Sequence, residues 1–280
     1  MERMTGTFLG KSELRIFYRS WLPAAEPASA KAGLIIVHGA GEHSGRHEYF
    51  GTRYASKKNC ALWALDLPGL GQSAGVRGHI DAFGDYLEDV GLLIKMVRSA
   101  LPQRPIVLIG FSLGGLIALN YAEKRGSSVD GVAVSGPLLG LKVKVPLLKS
   151  AVAPILAGVV PKLSLENEID ATLLARNQNV CREYLADPLV YNKVTPRWFA
   201  EITRAMRETR ANAIALAGLP VLILQGSADG IVDPETSRDF AAPLREYVEF
   251  PGFYHELFNE DERGQVFAVL DRWLDNHFLG

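Results

Sequence analysis

Short runs of consecutive apolar residues alternate along the chain with longer stretches in which apolar positions recur every three or four residues. That alternation predicts βαβ units around a mostly parallel sheet. Strands of such a sheet are covered on both faces, so they read as unbroken apolar runs. Four runs fit well: 33–37 (GLIIV), 61–66 (ALWALD), 105–110 (PIVLIG) and 220–225 (PVLILQ). GVAV at 131–134 and YVEF at 247–250 are weaker, and 14–21 (LRIFYRSW) reads as an earlier edge strand. Helical spacing covers 83–100, 113–125, 234–244 and 262–277. Gly126 follows as a helix stop.

From Pro137 to Leu219 the alternation fails, leaving apolar and helical segments with scattered prolines and no clear strand. That is too long for a structureless loop, so the expectation is an α/β core formed by 1–136 and 220–280, with 137–219 inserted as a helical cap over the sheet. No internal repeat or low-complexity tract interrupts this plan.

Hydrophobic residues make up 48% and charged residues 22% of the 280 positions, which excludes a disordered or fibrous chain. A formal charge of −1 supplies no field to attract nucleic acid. The longest apolar stretch, 145–161, is broken by Lys149, Ser150 and prolines, short of a membrane span. Two cysteines, Cys60 and Cys181, make no disulfide framework. With no apolar leader in the first fifteen residues, a cytoplasmic protein is expected.

Directly after PIVLIG stands Gly110-Phe111-Ser112-Leu113-Gly114, followed by Gly115 and a helical run. G-x-S-x-G alone is weak. In a strand–turn–helix context it describes a sharp elbow that holds a serine hydroxyl clear of the sheet. Such a hydroxyl needs a base, and the base an orienting acid. On this fold they follow in the order Ser, acid, His. Of the six histidines only His255 and His277 lie beyond Ser112. His255 follows the strand YVEF, whereas His277 sits in the terminal helix, expected solvated. Asp229, after the strand PVLILQ, is the favoured acid. Asp233 precedes Pro234 and suits a helix cap. An oxyanion hole needs two backbone N–H donors: Leu113 offers one, and Ala40 in the loop His38-Gly39-Ala40-Gly41 the other. His38 is expected to stabilise that turn.

With these pieces in order, the chain resembles the monoacylglycerol lipase family of α/β-hydrolases over most of its length. The resemblance rests on 38–46 (HGAGEHSGR), 69–73 (GLGQS), the Ser112 elbow and 225–229 (QGSAD), and within the cap on 161–165 (PKLSL), Arg176-Asn177 and 187–189 (DPL). It implies Ser112, Asp229 and His255 as the triad and Ala40 and Leu113 as oxyanion donors. It further implies a monoacylglycerol ester as substrate, cleaved through an acyl-enzyme, with no cofactor and no metal. Relatives often carry His before and Met after the nucleophile, where this chain has Phe111 and Leu113. Some carry a second histidine three residues beyond the catalytic one, where this chain has Phe258.

Glu42, Arg46 and Tyr184 are candidates for contact with glycerol hydroxyls, and an Arg–Glu surface pair is the plainer reading of the first two. Leu147, Leu148, Val152, Ile155, Leu156, Val159 and Val160 form an apolar set that can line an acyl tunnel, pack the cap on the core, or dock on a membrane or micelle. Lysophospholipase and general carboxylesterase are the nearest alternatives. An aminopeptidase would use a cap acidic cluster such as Glu166, Glu168 and Asp170, and a non-catalytic ligand-binding protein is the alternative from a different class.

Overall fold

The computed structural model describes residues 1–24, 29–142, 155–167, 169–244 and 246–280. Its strands are β1 (Glu2–Leu9), β2 (Arg15–Leu22), β3 (Gly33–Val37), β4 (Ala61–Leu65), β5 (Ile106–Phe111), β6 (Gly131–Ser135), β7 (Leu165–Glu166), β8 (Lys193–Val194), β9 (Val221–Gly226) and β10 (Tyr247–Phe250). Eight of them form one sheet in the order β1-β2-β4-β3-β5-β6-β9-β10. β2 runs antiparallel to both neighbours, and every pair from β4 to β10 is parallel. The fold is that of an α/β-hydrolase, mostly parallel and flanked by helices.

The helices are α1 (Glu48–Lys57), α2 (Phe83–Ala100), α3 (Leu113–Arg125), α4 (Gln178–Ala186), α5 (Pro196–Ala211), α6 (Pro234–Ala241) and α7 (Arg263–Leu274). The period-two geometry of the strands divides the core. Ile35 and Val37 of β3 point into the cluster with Leu93 of α2 and Leu116 of α3, while Leu34 and Ile36 join Phe50 of α1 and Leu270 of α7. All five β3 residues are therefore buried.

Two expectations need correction. The segment around 14–21 is not an edge strand, because β1 pairs outside it along its full length. β1 escaped the apolar pattern because its residues are exposed or half-buried. The stretch between β6 and β9 is also not purely helical: β7 and β8 pair as a short antiparallel ribbon. Along that stretch the chain leaves the sheet after Ser135 and returns at Val221. No helix among the described residues is long and apolar enough to cross a membrane.

Candidate active site

Ser112 sits between β5 and α3 with φ 51° and ψ −114°, one of three non-glycine residues at positive φ among those described. The glycines on either side make this turn possible. A Cβ on Gly114 would lie 1.9 Å from the Val37 carbonyl oxygen, and one on Gly110 would lie 2.4 Å from the Gly114 carbonyl oxygen. Strand and helix approach so closely that neither position tolerates a side chain. The Ser112 N–H donates to the Ser135 carbonyl at 3.0 Å, anchoring the elbow to β6.

His255 and Asp229 meet where sequence order placed them. The Asp229 carboxylate is fully buried, and its Oδ2 lies 2.8 Å from His255 Nδ1. Because a carboxylate only accepts, Nδ1 carries the proton and Nε2 is left free to act as a base. The remaining Asp229 lone pairs are occupied: Oδ1 accepts from the N–H groups of Ile231 and Val232 at 2.8 and 3.0 Å, and Oδ2 from Gln225 Nε2 at 3.1 Å. Burial works against the charged imidazolium of His255, but the Asp229 charge and hydrogen bond outweigh it and raise the pKa above the ordinary 6.5. The rival Asp233 caps α6 through the Glu235 N–H instead. His277 is exposed, 3.1 Å from Glu246.

Ser112 and His255 line the same cavity of about 70 Å³. No Ser112–His255 hydrogen bond is formed in this conformation. The Leu113 N–H opens α3, where the helix supplies no acceptor. Ala40 lines the cavity beside Ser112.

The Ala40 loop is held from beneath. His38 Nδ1–H donates to the Gly39 carbonyl at 2.8 Å, and its Nε2 accepts the Leu67 N–H at 2.9 Å, the turn-stabilising role expected of it. Burial lowers its pKa, in keeping with a neutral ring. Glu42 Oε1 accepts the Gly39 N–H at 2.5 Å. Its Oε2 takes Arg46 Nη1 at 2.9 Å, and the same guanidinium grips Glu256, next to His255, at 2.8 and 3.0 Å. Burial resists charge on Glu42, yet His47 and Arg46 prevail and hold its carboxyl well below the usual range. Arg46 also stacks over the Tyr184 ring at 4.8 Å. Glu42 and Arg46 thus form a buried ion network rather than a surface pair, and with Tyr184 they still line the cavity. Phe111 and Phe258 pack edge to face at 5.7 Å and wall it on the other side.

A second cavity, of about 100 Å³, meets the first at Ala40, Ser112, Ile169 and Ile231. Its wall is mainly apolar: Leu138, Leu141, Val194, Trp198, Phe199, Ile202 and Met206. This corrects the expected tunnel wall. Ile155 and Val159 are 65% and 74% exposed, and with Leu156 they line neither cavity. Residues 155–159 are helical and turn Ala157 inward, so Ile155 and Val159, four apart, share the outer face. Leu148, Leu147 and Val152 lie outside the described residues. The signal that would have found the wall of this second cavity was the spacing of Trp198, Ile202 and Met206 along α5.

Comparison with known proteins bears on the chemistry of this site. A family described as "Serine aminopeptidase, S33" matches residues 28–262. Human monoglyceride lipase is 31% identical over 270 residues, covering 92% of this chain and 86% of the relative. The monoacylglycerol lipase of Paleococcus ferrophilus superposes with a TM-score of 0.82 at 31% identity, covering 99% of this chain and all of the other. The chain belongs to the monoglyceride lipase family of α/β-hydrolases. As a member of that family it is a serine ester hydrolase. Phospholipase YtpA of Bacillus subtilis (strain 168) is also similar, 30% identical over 251 residues and matched over 96% of its length.

Proposed function

We propose that the chain hydrolyses monoacylglycerols, with Ser112, His255 and Asp229 as triad and the Ala40 and Leu113 N–H groups as oxyanion donors. The observation that carries this reading is the meeting of two cavities at Ser112, one with charged side chains (Glu42, Arg46 and Glu256) in part of its wall and one walled mainly by apolar side chains. An ester with a polyol on one side of its carbonyl and an alkyl chain on the other suits that arrangement.

Substrate binding brings the Ser112 hydroxyl and His255 Nε2 into hydrogen-bond range, since such contacts tighten in the Michaelis complex. His255 takes the hydroxyl proton as Oγ attacks the carbonyl carbon, and the oxyanion forms against the two amides. His255 then returns the proton to the departing glycerol oxygen. In the second half it deprotonates a water, which attacks the acyl-enzyme and frees the fatty acid and Ser112. Asp229 remains ionised throughout, holding the imidazole's tautomer. The 137–219 segment acts as the cap that supplies the acyl wall.

The pairing of Arg46 favours a neutral leaving group. Arg46 is spent on two carboxylates, Glu42 and Glu256, so its guanidinium is already engaged and is not offered to a phosphodiester headgroup. The similarity to a phospholipase keeps lysophospholipid as the second reading. Glu166 and Asp170, offered for an aminopeptidase, are engaged elsewhere: Glu166 with Lys193 at 3.1 Å and Asp170 with Thr172. Glu168 lies outside the described residues. We further propose that Ile155, Val159, Val160 and Leu163, all exposed, rest on the lipid surface where long-chain monoacylglycerol resides.

Initial rates on a monoacylglycerol, the matching lysophosphatidylcholine and the methyl ester of one fatty acid test the reading. Monoacylglycerol should be fastest. A lysophospholipid rate above it would overturn the monoacylglycerol reading.

A further inference from the structure

Outside both cavities lies another buried carboxylate, Glu260, only 1% exposed. A buried charge is tolerated only where donors surround it. Its Oε1 accepts the Tyr254 N–H at 2.9 Å and the Arg176 N–H at 3.2 Å, and its Oε2 accepts Arg176 Nε at 3.0 Å. Tyr254 immediately precedes His255. Arg176 belongs to the segment between β6 and β9 and lays its guanidinium over the Phe253 ring at 4.8 Å. On the other side of His255, the Glu256 N–H donates to the Leu174 carbonyl at 2.7 Å. Asn177 Nδ2 adds a bond to Asp261 at 2.7 Å.

The backbone is therefore gripped at both neighbours of His255 through residues 174–177, about eighty positions away in sequence. We propose that Glu260, through Arg176, is a positioning residue for His255, so that seating of the cap and alignment of the base are one structural event. The inference rests on the reading of His255 as general base. Glu260 lines neither cavity, so its removal should act on turnover and leave substrate affinity alone. A displacement of about 1 Å in a catalytic group is worth about a hundredfold in rate.

The test compares kcat and KM of Glu260→Ala, Glu260→Gln, Arg176→Met and His255→Ala on one monoacylglycerol. Glu260→Ala should lower kcat about a hundredfold with KM within about twofold. Glu260→Gln, which keeps an oxygen for the Tyr254 N–H, should recover about tenfold of that loss. Arg176→Met should lower kcat in the same direction. If Glu260→Ala does not fold, Arg176→Met decides the question alone, its side chain being 37% exposed and dispensable to the core. Wild-type kcat in folded Glu260→Ala or in Arg176→Met, or a loss confined to KM, would overturn the positioning role. His255→Ala distinguishes failure of the positioning role from failure of the triad. An inactive His255→Ala beside a fully active Glu260→Ala defeats only the positioning role. An active His255→Ala defeats the reading of the base and this inference with it.

Discussion

The strained backbone of Ser112 makes a prediction about stability that is independent of any substrate. At φ 51° and ψ −114° an L-residue stands in a region that costs on the order of 1–3 kcal/mol. Glycine adopts it freely but gains unfolded-state freedom worth about 0.4–1 kcal/mol relative to alanine. The proper comparison is Ser112→Gly against Ser112→Ala, since both lack the hydroxyl. The difference should favour glycine by about 1 kcal/mol. With roughly 2.1 cal/mol/K of unfolding entropy per residue over 280 residues, that corresponds to a rise in Tm of about 2 °C. Scanning calorimetry of the two variants reads it directly. A Ser112→Gly variant melting at or below Ser112→Ala would show that the elbow stores no backbone strain at Ser112.

Other expectations follow from particular side chains. Asp229→Asn keeps the fold but lets the imidazole take the wrong tautomer, and should lower kcat by about 10⁴ in a steady-state ester assay. Thr203 lines the apolar cavity, so Thr203→Phe should shorten the preferred acyl chain; the wild type should gain about fourfold in kcat/KM per methylene, at about 0.8 kcal/mol each, until the cavity is full. Glu123 buries both carboxyl oxygens without a hydrogen-bond partner among the described residues, and burial lifts its pKa to about 8. The native state thus binds the extra proton between about pH 4.5 and 8, so stability falls as pH rises through that window and levels off above it. Glu123→Gln should remove that slope and gain about 1 kcal/mol at neutral pH, after allowance for solvent screening. Denaturant titrations of both proteins at pH 5 and pH 8 would reveal it.

Much of this architecture is legible in the chain because parallel strands, covered on both faces, leave unbroken apolar runs. Residues 33–37 and 247–250 have the bounds their apolar runs predict, as do α2 and α3. The meeting of His255 with Asp229 follows from order along the fold, since each lies just beyond the end of a parallel strand. What stays hidden depends on side chains converging from distant segments. Glu260 is an ordinary charged residue in sequence and Arg176 stands out only through the family resemblance, with no sign of its partner; only the folded chain brings them to the loop of His255. Glu256, adjacent to His255, carries no local mark of its grip on Arg46. The wall of the second cavity escapes a sequence reading because an apolar stretch reveals its composition and not which face turns outward. The strand β1 escapes it because an exposed edge needs no apolar signature.

Covalent labelling by a fluorophosphonate tests the central claim most directly, because the reagent reacts only with a serine activated by a base and cradled by oxyanion donors. Peptide mapping of the labelled protein should place one adduct at Ser112, and the His255→Ala variant should remain unlabelled. An adduct on another serine, or equal labelling without His255, would contradict the account.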